Sequence, residues 1–113
     1  MSIPLRGEIW AVDLNPVRGH EQAGRRPCLV ISDDIYNQGP AAKHIVLPVT
    51  SRNKRIPYHL TVTPPEGGLR LASYVMCDDI RSVSRERFGE RLGTVSSQTL
   101  SLMKENLEML LGF

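Results

Sequence analysis

The chain has 113 residues, 41% of them hydrophobic and 23% charged, with a formal net charge of +2 at pH 7; that is the composition of an ordinary globular protein and argues against a disordered, fibrous or membrane-spanning one. One domain over 1–113 is expected, and a domain of this size buries roughly 60–70% of its unfolded surface. No apolar run reaches the ~18 residues of a membrane span, and the start MSIPLRGEIW lacks the basic and apolar regions of a signal peptide, so a cytoplasmic protein without membrane attachment is expected.

In chain order, Gly7 opens a first strand, and EIWAVDL from Glu8 to Leu14 alternates imperfectly in the manner of a half-buried strand before Asn15-Pro16 ends it. A polar, glycine-punctuated loop leads to Pro27–Ser32, a continuous apolar run that reads as a buried strand. DDIYNQGP is turn-like, with one helical turn around Ile35 and Tyr36. KHIVLPVT, Lys43 to Thr50, is a third strand whose Pro48 argues for an edge position or a bulge. Tyr58–Thr63 is a short strand, PPEGG a turn, and Leu71–Cys77 a fifth strand running into Asp78-Asp79. A single helical turn is expected over Ser84–Phe88, then a short strand from Arg91 to Val95. Ser96 or Ser97 can cap a final helix to Leu111, with Leu100, Met103, Leu107, Leu110 and Leu111 at helical spacing and Gly112 as its stop. Short strands closed by one terminal helix imply a mainly β (α+β) fold, a small antiparallel barrel.

Two features of this chain invite a functional reading. The segment from Gly19 to Arg26, rich in His, Glu, Gln and Arg, is anchored on a rigid strand, which holds polar groups still while leaving them exposed. Arg18, Arg25 and Arg26 gather there, and Arg52, Lys54 and Arg55 gather in a second loop; such pairs of basic loops are either solvated surface or two walls of a phosphate site. Cys28 and Cys77 lie in apolar runs and read as buried thiols, with no second cysteine near either to suggest zinc. His44 and His59 read as structural.

Four segments in order, RGEIWAVDLNP, GHEQAGRRPCLVIS, LPVTS and VMCDDIRSVS, together with the final amphipathic helix, resemble the MazF/PemK (Kid) toxins, the ribonuclease halves of bacterial toxin–antitoxin pairs. The resemblance implies an SH3-like antiparallel barrel of the CcdB/PemK type with a C-terminal helix, acting as a homodimer. It implies metal-independent, cofactor-free and sequence-specific cleavage of single-stranded RNA, messenger RNA included, by attack of the ribose 2′-hydroxyl, leaving 2′,3′-cyclic phosphate and 5′-hydroxyl ends. It also implies a cognate antitoxin whose acidic C-terminal tail lies in the same groove.

Residue by residue, Arg26 matches the catalytic arginine of these toxins, and its planar fork can clamp two phosphate oxygens at any pH. Thr50 matches the active-site hydroxyl, with Ser51 beside it. Glu21 and His20 fall on loop positions with acid–base roles in some members, and both residue types carry protons when tuned by their surroundings. Gln22, Arg25, Ser51, Arg52, Asp78 and Arg81 fall on RNA-contacting segments. The chain departs from the Kid pattern in having Met76 where those members carry a catalytic arginine and Asp79 where glutamine is common, so the weight shifts to Arg26 and Thr50, with Asp78 as a substrate contact.

Plainer readings stand beside these. His20 is by type an ordinary loop histidine, Arg26 can pair with Glu21, and Thr50 suits any strand. A metal held by His20, Glu21, Asp78 and Asp79 is poorly patterned. A CcdB-like gyrase-binding toxin without catalysis would rely on a tryptophan at the end of the last helix, whereas this chain ends Leu110-Leu111-Gly112-Phe113 and its one tryptophan is Trp10. A plain RNA-binding module would offer aromatic stacking platforms, and aromatics are 5% here.

Overall fold

The computed structural model describes residues 2–14 and 25–113. Arg18, His20, Glu21 and Gln22, to which the sequence assigns part of the site, lie outside the described residues. Seven strands follow one another as β1 (Glu8–Asp13), β2 (Arg25–Val30), β3 (Lys43–Thr50), β4 (His59–Val62), β5 (Ser73–Met76), β6 (Arg81–Ser84) and β7 (Phe88–Thr94). A one-turn helix α1 (Asp34–Asn37) follows β2, and α2 (Ser97–Leu111) closes the chain. The strands form one antiparallel sheet in the order β4-β5-β3-β2-β1-β7, with β6 also paired to β3.

The expected architecture of antiparallel strands with a terminal helix holds. Among the described residues, however, the sheet is not closed by hydrogen bonds, since β4 and β7 are its two ends. The turn Glu66–Gly68 bridges toward β7 instead: a Cβ on Gly68 would overlap the Leu92 carbonyl, and one on Gly93 would overlap Gly67. Gly67 and Gly68 both have positive φ, which glycine adopts without strain.

The apolar run of β2 is continuous because both faces of the central strands are covered. Leu29 joins Ile9, Leu47, Val49, Val75 and Met103 on one face, under α2. Cys28 and Val30 join Trp10, Val12, Val46, Val83 and Phe88 on the other. Ile9 and Trp10 are consecutive and both buried because they point into opposite clusters, where the β1–β7 register shifts between them.

The edge position expected from Pro48 is corrected by the structure. β3 is the spine of the sheet, paired with β2 along one side and with β6 and then β5 along the other. Ile31 N donates to Ile45 O at 2.9 Å, so Ile45 turns its peptide toward β2, and Pro48, three residues on, turns its nitrogen the other way. On that side β6 pairing ends at Val46 and β5 pairing begins at Val49. The missing N–H therefore falls in the handover, where no ladder bond is lost.

Strand β6 was not expected from the sequence, in which Arg81–Ser84 carries one buried apolar residue, Val83; its pairing with Lys43–Val46 makes it a strand. The helical turn expected near Ser84 is the 3-10 turn Arg85–Arg87, and β7 begins at Phe88, earlier than Arg91. In α2, Ser96 is the cap, its Oγ accepting from Thr99 N at 3.1 Å, and Gly112 ends the helix in the left-handed region. Met103 is buried with Leu100, Leu107 and Leu110 packed on the same cluster, but Leu111 is 51% exposed and does not belong to the stripe. No helix among the described residues is long and apolar enough to cross a membrane.

One buried polar network pins α1 to β3. His44 is fully buried; its Nδ1 lies 3.0 Å from Asn37 Oδ1, and its Nε2 accepts from Arg85 Nε at 3.1 Å. Accepting from a guanidinium fixes Nε2 as bare, so Nδ1 carries the proton and donates to Asn37. Burial, and then the Arg85 charge, push the His44 pKa down to about 4.

Candidate functional site

Register alone aligns the strongest candidates at one end of β2, β3, β5 and β4. Thr50 pairs with Tyr74, and Tyr74 with Thr61. Cys28 pairs with Pro48, and extending that pair two residues along each strand sets Arg26 opposite Thr50. Arg26 and Thr50 thus come from neighbouring strands and line one cavity of about 290 Å³, together with Ser51 and Arg70.

Arg26 also lines a second cavity of about 300 Å³ with Lys54, Met76, Asp79 and Arg81. Arg81 and Leu14 in turn line a third of about 280 Å³, with Lys43 and Arg87. Sharing Arg26, and then Leu14 and Arg81, these cavities adjoin as a segmented groove, with a guanidinium or ammonium in each section and Asp79 and Asp13 as its carboxylates. Such a surface matches a polyanion with regularly spaced charges.

Beneath the groove Cys28 is fully buried, and desolvation pushes its thiol up to about 12, although Arg81 and Arg26 pull it the other way. Cys77 is also buried and shifted upward by desolvation. Both are core thiols, as their sequence setting suggests.

The remaining candidates are dispersed. Thr50 Oγ1 accepts from Arg52 N at 3.1 Å, which leaves its own hydroxyl proton available to donate. Ser51 and Arg52 are exposed. Arg25 is directed away from the Arg26 cavities: a Cβ on Gly89 would overlap its guanidinium, which places Arg25 across β1 on β7. Arg81 Nε is 3.3 Å from Asp79 Oδ1, and Asp78 Oδ1 is 2.8 Å from His59 Nε2. Of the four residues weighed for a metal, His20 and Glu21 lie outside the described residues, while Asp78 and Asp79 are engaged by His59 and Arg81.

Arg70, Lys43 and Arg87 were not singled out from the sequence, and His59 was read there as structural. Arg70 lies two residues after the Gly67-Gly68 pair and reaches the Thr50 cavity only through the fold of the 66–73 segment. The usable signal was strand register, since His59 pairs with Met76, two residues before Asp78.

Residues 5–111 match the family described as PemK-like, MazF-like toxin of type II toxin–antitoxin system. The chain is 34% identical over 109 residues to the endoribonuclease MazF9 of Mycobacterium tuberculosis, covering 92% of each protein. Among solved structures, that of MazE-MazF from Deinococcus radiodurans superposes with a TM-score of 0.85 at 34% identity, over 100% of this chain and 99% of that one. An endoribonuclease from a mycobacterial species, solved in complex with its cognate antitoxin, superposes with a TM-score of 0.78 at 26% identity, over 100% of this chain and 97% of that one.

Proposed function

Because the chain belongs to the PemK-like, MazF-like toxins of type II toxin–antitoxin systems, we propose that it is a sequence-specific, metal-independent endoribonuclease of single-stranded RNA, messenger RNA in particular. The observation that carries this reading is Arg26 and Thr50 on neighbouring strands lining one cavity of a row of adjoining basic cavities. The names of the relatives point the same way.

RNA supplies its own nucleophile. The 2′-oxygen bonds to the adjacent phosphorus as the bond from phosphorus to the 5′-oxygen breaks, giving a 2′,3′-cyclic phosphate and a 5′-hydroxyl. The 2′ proton passes to a base, and the departing 5′-oxygen takes a proton from an acid. Negative charge grows on the non-bridging oxygens, where the Arg26 fork donates two parallel hydrogen bonds and Thr50 Oγ1–H donates a third. His20 and Glu21 are the candidates for proton transfer, and Asp78 for substrate contact. Arg52, Arg70 and Arg81 neutralise flanking phosphates. DNA lacks the 2′-hydroxyl and is not a substrate for this chemistry.

The acidic C-terminal tail of a cognate antitoxin fits the same groove for the electrostatic reasons that RNA does, and the active species is a homodimer. The test is incubation with a long defined single-stranded RNA in EDTA beside Arg26→Ala, with cut ends mapped. Discrete cuts with 5′-hydroxyl ends are expected, reduced at least about a hundredfold in a variant that melts like the parent. Intact RNA at high protein concentration would overturn the reading and make gyrase the next target to assay.

A further inference from the structure

The turn that ends β5 carries two consecutive carboxylates with different attachments. Asp79 N donates to Met76 O at 3.0 Å, which closes the turn and leaves Asp78 at its third position. Asp79 pairs with Arg81 inside the groove. Asp78 instead reaches back across β5 to β4, where His59 Nε2 lies 2.8 Å from its Oδ1. The Asp78 side chain is 40% exposed and that of His59 only 4%.

A carboxylate oxygen only accepts, so His59 Nε2 donates a ring proton to Asp78, and the other ring nitrogen is Nδ1. That Nδ1 is buried and has no hydrogen-bond partner among the described residues. Burying an unpartnered polar atom weakens a fold, and a leucine would fill this strand position without that cost. Nor does the hairpin need the extra link, since β4 and β5 already pair through four residues each, from His59↔Met76 to Val62↔Ser73. Packing alone therefore does not account for a histidine here, whereas the bond to Asp78 does. Met76, its neighbour across the strands, lines the groove beside Arg26.

We propose that His59 is a positioning residue for the cleavage reaction: its Nε2–H holds the Asp78 carboxylate beside Asp79 and Met76, which line the groove, so that the second oxygen accepts a hydrogen bond from bound RNA. An untethered carboxylate on an exposed turn would sample several rotamers, whereas one held by a ring on a rigid strand is set before substrate arrives. The inference rests on the endoribonuclease reading above and assigns to that site a residue from outside the toxin motifs.

The experiment measures kcat, KM and melting temperature for the wild type, His59→Leu, His59→Gln, Asp78→Asn and the His59→Leu/Asp78→Asn double variant, with Arg26→Ala as the inactive control. His59→Leu is expected to lose about tenfold in kcat/KM, the scale of one hydrogen bond to a charged group, with a melting temperature no lower than the parent. His59→Gln, whose amide can still donate to Asp78, should recover most of the loss. The double variant should be no slower than Asp78→Asn, because the histidine acts only through the carboxylate. Wild-type turnover in His59→Leu, independent multiplying losses in the double variant, or a loss that tracks a lowered melting temperature would each overturn the proposal while leaving the enzyme class intact. Failure of the wild type to cut RNA would overturn the underlying reading and this inference with it.

Discussion

Arg26 and Thr50 stand side by side on neighbouring strands, yet a substitution removes something different at each. Arg26→Lys keeps a charge but loses the planar fork, so it should recover little of the activity lost in Arg26→Ala; full recovery in an RNA cleavage assay would mean that the site needs charge alone. At His44 the prediction concerns stability. Its folded pKa of about 4 lies below the ordinary histidine value of 6.5, so between these values the unfolded chain binds more protons and stability falls as the pH is lowered from about 6.5 toward 4. At about 1.4 kcal/mol per unit, the loss is about 3 kcal/mol at most. Urea unfolding at several pH values should show this slope in the wild type and a shallower one in His44→Gln. Arg26, Thr50 and Ser51 were legible in the linear sequence because they sit at strand ends in recognisable motifs. His59 was not, because its meaning lies in a carboxylate 19 residues away that only the β4–β5 hairpin brings near.

Elements were legible where local chemistry decides them. The helix α2 announced itself by its apolar spacing, its serine and its glycine, and the cap carries a checkable contribution: Ser96→Ala should lower unfolding free energy by about 1 kcal/mol in denaturant titration. Glu66 strengthens the same end, accepting from Ser96 N at 2.9 Å and from Thr99 Oγ1 at 2.5 Å. The Ser96 backbone bond, then the Thr99 hydroxyl, hold the Glu66 carboxyl below its ordinary pKa. Its contribution is thus full above the unfolded value and is lost as pH falls through the lower folded one. Strand β6 escaped the sequence reading because Arg-Ser-Val-Ser has no pattern of its own and becomes a strand only by pairing with β3. Pro48 misled for the complementary reason: a proline normally denies a central position, and here the partner change across from it removes the need for its N–H.

At the scale of the whole molecule, a net charge of +2 conceals a groove whose three sections each carry cations. Chain composition could not reveal that concentration, since the arginines and lysines are spread from Arg26 to Arg87 and meet only on the folded sheet. RNA binding should therefore weaken steeply with salt, and replacing Arg70, which contributes a cation to one wall, should lower the slope of log K against log salt by about 0.7 for a single strand. An unchanged slope in Arg70→Ala would place the strand elsewhere. An acidic antitoxin tail should show the same salt sensitivity, measured by titration calorimetry at two ionic strengths.

The partner change opposite Pro48 has a consequence for how the molecule opens. The β4–β5 hairpin is joined to the spine through two residue pairs, Val49↔Val75 and Thr50↔Tyr74, whereas β1, β2, β3 and β6 interlock more extensively. Native-state hydrogen exchange should find the amides of β4 and β5 opening at lower free energy than those of β2 and the centre of β3. One wall of the groove, at Ser73 and Met76, therefore belongs to the less extensively paired part of the sheet. Thr50 is itself one of the two joints, so loosening of the hairpin should reach the site from that side, while Arg26 stays on a strand paired along both edges.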